Sequence, residues 1–191
     1  MQSSNRIIGN GRGQTEQGLT LLELVFSITL LVIGITAISR LTVGITRVAN
    51  MQRDAELASA GARAMLERIQ AEAFSQAFRS FNATGADDPG GANTAPGANF
   101  AVEGLRATAD DPDGLPGEII MPTPAGQPGF LREDVVNEKL AMPHDLNGNN
   151  LIDTLNHATD YRLLPVLVRV RWRATDGTNG TVELKTCLAN Y

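Results

Sequence analysis

The longest apolar run of the chain lies near its N-terminus, where residues 24–39 contain no charged side chain. Gly18 and a single carboxylate, Glu23, precede the run, and Arg40 ends it. A helix over residues 19–39 would be about 30 Å long, which matches the hydrocarbon core of a bilayer. The pattern therefore predicts one membrane-spanning helix.

The helical pattern continues beyond the apolar run. Residues 41–81 contain no proline, and small or apolar side chains recur there at three- and four-residue steps. These positions are Met51, Ala55, Ala58, Ala62, Met65, Ile69, Ala73 and Ala77, with Phe74, Phe78 and Phe81 widening the apolar side. This periodicity predicts an amphipathic helix, and the Asn-Ala-Thr-Gly segment at 82–85 is expected to end it. The sequence thus predicts one unbroken helix from Leu19 to about Phe81.

A different period governs the C-terminal region. Residues 166–173 alternate after Leu167, which predicts a strand with Val168, Val170 and Trp172 on one face. The opposite face carries three arginines, which are Arg169, Arg171 and Arg173. A turn at 176–180 and a returning strand at 181–189 complete a hairpin, in which Glu183 is expected to offset an arginine across the pair.

The segment between helix and hairpin is rich in turn-forming residues. Glycine, proline, asparagine and aspartate dominate residues 85–99 and 110–114, which indicates exposed loops. Short strands are predicted at 100–105 and 117–121, and one or two helical turns at 131–140. The predicted fold class is α+β, with an antiparallel sheet of about four strands packed on the second half of the long helix.

Composition limits the functions that the chain can have. The chain has 191 residues, of which 42% are hydrophobic, enough for one globular domain and an anchor. Its formal net charge of -5 argues against broad binding of nucleic acid. Cys187 is the only cysteine, so no intrachain disulfide can form. The sequence contains no nucleophile–base pair, carboxylate pair or phosphate loop, so we do not expect an enzyme.

Three interpretations compete for the apolar run. It is a plain signal anchor, a secretory signal peptide cleaved after Ala37-Ile38-Ser39, or an anchor that also assembles. The helical pattern continues past Ser39 and no proline interrupts it on either side, which disfavours the secretory peptide. Glu23 separates the other two, because a carboxylate in a hydrocarbon-embedded helix is costly unless it is paired. A plain anchor gives that carboxylate no role.

The N-terminal pattern resembles the signal and membrane anchor of type IV prepilins and pseudopilins. The resemblance rests on Gly18, the apolar residues 19–22, Glu23 and the uninterrupted run, behind a leader containing Arg6 and Arg12. It covers about the first sixty residues. Leu19 stands where the family most often has phenylalanine, and the kinking proline of many major pilins is missing near residue 40.

The resemblance implies processing and assembly. A prepilin peptidase would cleave between Gly18 and Leu19, Leu19 would be N-methylated, and Glu23 would pair with the N-terminus of a neighbouring subunit. The expected division is a leader at 1–18, a transmembrane and filament-core helix at 19–39, its amphipathic continuation at 40–82, and a globular β domain at 83–191. A loose likeness of the hairpin to minor pilins and minor pseudopilins points the same way.

The function implied is that of a filament subunit. The chain would be a minor pilin or pseudopilin of a type IV pilus or type II secretion-like filament. It would be stored in the bacterial inner membrane, with its C-terminal domain outside the cytoplasm, and its partners would be other pilin or pseudopilin subunits. The alternative is a signal-anchored surface domain that binds a ligand or DNA and does not assemble.

An oxygen-rich segment at 145–153 suggests a calcium loop. Its oxygens stand at the first, third, fifth, seventh and ninth places of an EF-hand-like pattern. The ligands would be Asp145, Asn147, Asn149, the backbone carbonyl of Leu151, and Asp153. Asn150 replaces the usual glycine and Asn156 the usual bidentate carboxylate, so an Asx-rich turn without an ion is an equal alternative. No cofactor is required, and Ca²⁺ is the one ion suggested. His144 and His157 flank the loop, but the sequence predicts no zinc site.

The arginine row of the hairpin also has two interpretations. Arg169, Arg171 and Arg173 on one strand face would suit contact with DNA phosphates. No aromatic side chains are interleaved with them, and such rows are more often a solubilising surface. We favour the solubilising surface, and nucleic acid is not an expected partner.

Overall fold

The computed structural model describes residues 20–190 and has an α+β fold. A long N-terminal helix packs against a four-stranded antiparallel sheet with strand order β1-β2-β3-β4. The elements are α1 (Leu21–Ala71), α2 (Phe74–Phe81), β1 (Asn99–Phe100), β2 (Gly117–Ile120), a 3₁₀ helix (Glu138–Leu140), β3 (Leu163–Arg173) and β4 (Asn179–Ala189). This confirms the predicted fold class.

The chain divides into two compact units after Ile45, and α1 contributes to both. Within the described part of the first unit, α1 is a regular helix that begins behind Thr20. The second unit, from Thr46 onward, contains the rest of α1, α2 and the whole sheet.

The core of the second unit joins α1 to the sheet. Small and medium side chains of α1 are buried there, namely Ala58, Ala62, Met65 and Ile69. They share this core with alternate residues of β3, namely Val166, Val168, Val170 and Trp172. The apolar face of α1, which repeats about every 3.6 residues, therefore packs in one core with the apolar face of β3, which repeats every two residues.

The C-terminal hairpin has the two predicted strands, but β4 begins at Asn179, so the turn ends two residues earlier than the predicted 176–180. Val170 lies opposite Val182, and Trp172 opposite Gly180. A side-chain carbon on Gly180 would come within 2.3 Å of the Trp172 ring, so the indole can lie across β4 only because that position is glycine. β3 begins at Leu163, three residues before the predicted start, and its added residues pair with the end of β4.

The prediction of one unbroken helix to Phe81 is wrong. α1 ends at Ala71, and Ala73 is extended (φ -58°, ψ 126°) before α2 begins at Phe74. The Tyr161 hydroxyl donates to the backbone carbonyl of Phe74 and accepts from the backbone N–H of Phe78. The segment has no proline or glycine at the break, so tertiary contacts and not local propensity account for it.

Two smaller predictions also need correction. The strand expected at 100–105 is limited to Asn99–Phe100, because Val102 turns inward to pack against Gly61 of α1. The helical turns expected at 131–140 are limited to Glu138–Leu140, because the backbone N–H groups of Leu131 and Arg132 bond to Asn156 and Pro122.

Glu183 offsets a different cation from the one expected. It lies opposite Arg169 in the register, but its carboxylate accepts from Lys139 Nζ at 2.6 Å. Arg169 instead pairs with Glu118 on β2. Glu183 on β4 and Arg169 on β3 therefore do not pair with each other. Glu183 pairs with the 3₁₀ helix and Arg169 with β2.

The close approach of Gly61 to Val102 gives a test of the packing. A side-chain carbon on Gly61 would lie 2.9 Å from both methyl groups of Val102. Overpacking costs about 1–3 kcal/mol, which exceeds the gain of up to about 1 kcal/mol in helix propensity. We expect Gly61→Ala to lower the free energy of unfolding by about 1 kcal/mol. Urea titration followed by the fluorescence of Trp172, the only tryptophan, measures this.

Gly44→Ala is the matched control on the same helix. No atom lies within 4 Å of a side-chain carbon placed there, and Gly44 lies in the first unit. Its Trp172 unfolding transition should match that of the wild type. Equal transitions for all three proteins would contradict the close packing of Gly61 on Val102.

Candidate functional site

The apolar part of α1 exposes its large side chains around the whole helix. Within the first unit their exposed fractions run from 50% at Leu24 to 82% at Leu21. This stretch is long and apolar enough to cross a membrane by its length and composition, and it lies near the N-terminus. It is a candidate membrane-spanning helix.

Three hydroxyl groups inside this run bond to the helix backbone. Thr29, Thr36 and Ser39 each donate to the backbone carbonyl four residues earlier, at 2.8, 2.7 and 2.9 Å respectively. A hydroxyl bonded in this way presents little unsatisfied polarity to hydrocarbon. The run is therefore compatible with a lipid surrounding despite its threonines and serines.

Glu23 stands in the first turn of α1. Its backbone N–H donates to the Thr20 hydroxyl at 3.3 Å, so Thr20 caps the helix. A carboxylate in the first turn is also favoured by the helix dipole. Within residues 20–190, no basic side chain forms an ion pair with the Glu23 carboxylate. The predicted cleavage residues, Gly18 and Leu19, lie outside the described residues.

A second group of functional side chains lies in the second unit, where Glu133 organises the oxygen-rich loop. Glu133 is fully buried, and its Oε1 accepts from the backbone N–H groups of Leu146 at 2.7 Å and Asn147 at 3.2 Å. Its Oε2 accepts from the N–H of Asp153 at 3.3 Å. One buried carboxylate therefore holds both ends of the segment that the sequence marked as a calcium loop.

The predicted ligands of that loop bond mainly to its own backbone. Asp145 Oδ2 accepts from the N–H of Asn150 at 2.6 Å, and Asp145 Oδ1 accepts from Gly148 at 2.7 Å. Desolvation raises the pKa of Asp145, but these backbone donors outweigh it and lower the pKa overall. Asn147 and Asn149 each cap an N–H two residues further on. These are Asx-turn bonds, the alternative that the sequence left open.

His157 lies beside the loop in a buried position among carboxylates. Its Nε2 is 3.1 Å from Asp153 Oδ1, and its Nδ1 is 3.1 Å from Asp160 Oδ1. Burial by itself lowers the pKa of His157. The hydrogen bond to Asp153 and the charge of Glu133 then outweigh burial, so the pKa is raised overall. Sequence reasoning missed Glu133, because it lies twenty residues before Asp153 and belongs to no local pattern.

Calcium binding at Asp145, Asn147, Asn149, Leu151 and Asp153 stays a prediction. A carboxylate or amide oxygen that accepts one backbone bond still has a free lone pair for a cation. With only two carboxylates we expect weak affinity, in the millimolar range of extracellular modules. Calorimetric titration with CaCl₂ measures it, and Asp145→Ala should remove the heat. The absence of heat and of any thermal shift at millimolar calcium would leave only the Asx turn.

The arginine row is largely engaged by acidic side chains. Arg169 pairs with Glu118, and Arg171 lies 3.5 Å from Asp110 and 3.4 Å from Asp111. Arg173 lines an open cleft of about 630 Å³ that Asp54 also lines. Carboxylates beside a cation reduce the positive potential offered to a phosphate. DNA contact by this row remains a prediction that these pairings disfavour.

Comparison with known proteins adds no relative. No family model, no curated protein and no solved structure matches the chain. The fold and the residues described above therefore carry the functional argument.

Proposed function

We propose that this chain is a structural subunit, a minor pilin or pseudopilin, of a type IV pilus or type II secretion-like filament. The observation that carries the proposal is Glu23, a carboxylate without an ion-pair partner among the described residues, one turn into a helix whose apolar side chains are exposed all round. No catalytic role is proposed. The lone cysteine fits a minor subunit better than a disulfide-looped major one.

The exposed apolar surface needs a cover. Soluble monomers rarely expose contiguous apolar patches larger than a few hundred Å². The exposed residues run from Leu21 to Val48 without a buried large side chain among them, so the helix needs lipid or other helices around it. In a subunit that moves from a membrane into a helical bundle, this apolar surface is covered first by lipid and then by the helices of other subunits.

Glu23 needs a partner in either surrounding. A charge that loses water is stabilised only by a close opposite charge or by hydrogen bonds. Cleavage after Gly18 would place a new α-amino group at Leu19, one helical turn from Glu23. The amino group of one subunit can then pair with Glu23 of the next, and this pair would fix the register of the bundle.

The membrane arrangement follows from the same residues. Arg6 and Arg12 precede the apolar run, and a positive flank favours the cytoplasmic side. The second unit would then lie outside the cytoplasm. We place the unassembled subunit in the inner membrane as a single-pass protein, and prepilin peptidase would be the enzyme that releases it for assembly.

Fractionation of the native host tests assembly. An antibody against the second unit should detect the chain both in the inner membrane and in the filament fraction released by shearing. Deletion of the host's prepilin peptidase should confine it to the membrane at the higher, unprocessed mass. A chain that stays in the membrane of wild-type cells grown under filament-forming conditions would support the signal-anchored binding domain instead.

A further inference from the structure

Three side chains distant in sequence bring their ligand atoms together beside the loop. Glu133, Asp153 and His157 each offer one donor atom, and these atoms lie within 4.8 Å of one another. Glu133 and His157 are buried, with 0% and 3% of their surface exposed, whereas the Asp153 side chain is one-third exposed. The group therefore has a fixed, dry base and one side open to solvent.

We propose that Glu133, Asp153 and His157 form a binding site for a divalent transition metal of the Zn²⁺ class. The site shares Asp153 with the calcium pattern, but Glu133 and His157 are not part of that pattern, whose other ligands are Asp145, Asn147, Asn149 and the Leu151 carbonyl. The site is independent of filament assembly, because all its ligands lie in the second unit.

The spacing of the donor atoms fits tetrahedral coordination. Zinc lies about 2.0–2.2 Å from nitrogen and oxygen ligands, so two ligands of a tetrahedron are about 3.3 Å apart. His157 Nε2 lies 3.1 Å from Asp153 Oδ1 and 3.7 Å from Glu133 Oε2. The Glu133 and Asp153 oxygens lie within 4.8 Å of each other, so an ion placed among the three donor atoms would draw these two carboxylates closer together.

The second nitrogen of His157 supports the same assignment. A metal-binding histidine almost always donates its other N–H to a carboxylate or carbonyl, which fixes the ring orientation. His157 Nδ1 faces Asp160 Oδ1 at 3.1 Å, and Asn147 Nδ2 donates to the other oxygen of Asp160 at 3.2 Å. When Nδ1–H donates to Asp160, Nε2 is the atom that faces the carboxylates of Glu133 and Asp153. Metal binding would displace the proton of Nε2 into solvent.

The donor set favours a transition metal over calcium at this position. Imidazole with carboxylates suits zinc and its neighbours, whereas calcium takes oxygen ligands only and six to eight of them. Three protein ligands leave one position for water, and the exposed side of Asp153 supplies access for it. The bound ion would join residue 133 to residues 153 and 157 and so close the base of the loop.

Titration of the full-length chain in detergent tests the site. After dialysis against a chelator, calorimetry with ZnCl₂ should give one equivalent bound by the wild type, and Co²⁺ should give the intense visible absorption of a tetrahedral complex. His157→Gln should lose both signals. His144→Gln is the matched control, since His144 is an exposed histidine next to the same loop, and it should bind like the wild type.

Two further variants distinguish a loss of metal binding from a loss of folding. Asp153→Ala removes a partly exposed ligand and should weaken binding at least about 100-fold with an unchanged circular dichroism spectrum. Asp160→Asn should weaken it about 10-fold, because it only orients the ring. If His157→Gln does not fold, the zinc affinity of Asp153→Ala tests the proposed site. Absence of stoichiometric zinc binding by the wild type, or equal binding by Asp153→Ala, would overturn the proposal.

Discussion

Replacing Glu23 with alanine is expected to reduce incorporation of the chain into filaments at least 10-fold while leaving its amount in the membrane unchanged. The loss of one partner from a desolvated ion pair costs about 3–5 kcal/mol, and each 1.4 kcal/mol is a factor of ten in an equilibrium. Insertion depends on the apolar run as a whole, which the change leaves intact. Quantitative immunoblots of sheared filament and membrane fractions measure the two effects separately.

Glu56→Ala is the matched control for this experiment. Glu56 is an exposed glutamate on the same helix, but it lies beyond the apolar run and in the second unit. Its filament fraction should equal that of the wild type. If Glu23→Ala entered filaments as well as Glu56→Ala does, the assembly role of Glu23 would be lost.

The second large effect is expected from Phe78→Ala. Phe78 is fully buried at the break between α1 and α2, and truncation of a buried phenylalanine costs about 3–5 kcal/mol. Since domains of this size are stable by only about 5–15 kcal/mol, the variant should be close to unfolding at physiological temperature. Urea titration followed by Trp172 fluorescence measures the loss.

Phe130→Ala controls for the removal of a phenylalanine as such. Phe130 is 45% exposed, so its truncation should cost under about 1 kcal/mol. Similar urea midpoints for the two variants would mean that Phe78 is not packed as described.

Sequence periodicity predicted the elements whose pattern is long and regular. The two strands of the hairpin were predicted correctly because residues 168–173 of β3 alternate and the turn between the strands contains Asp176-Gly177. The helical stripe of Ala58, Ala62 and Ile69 likewise faces the core. In both cases the local preference and the tertiary packing agree, so a local pattern suffices.

Periodicity failed where distant residues decide the local structure. The extended conformation of Ala73 depends on Tyr161, whose hydroxyl contacts both ends of the first turn of α2. No residue near position 73 in the sequence indicates that contact with Tyr161. A continuous helix was the better local prediction, and tertiary packing overrode it.

The loop site shows the same limitation. The alternating oxygens of 145–153 drew attention to a linear calcium pattern, whereas the buried carboxylate that holds the loop is Glu133. The sequence around His157 predicts no zinc site, because His157 belongs to no recognisable ligand motif. Asp153 and Asp160 lie within four residues of His157 in sequence, but Glu133 lies twenty-four residues before it and reaches the imidazole only through the fold.

The mass of the mature N-terminal peptide tests the central claim most directly. The chain should be purified from the membrane and filament fractions of its native host, digested, and analysed by tandem mass spectrometry. The account predicts a peptide that begins at Leu19 and carries one methyl group on its α-amino nitrogen. A chain that retains Met1 and the leader in every fraction, or that begins at Arg40, would contradict it.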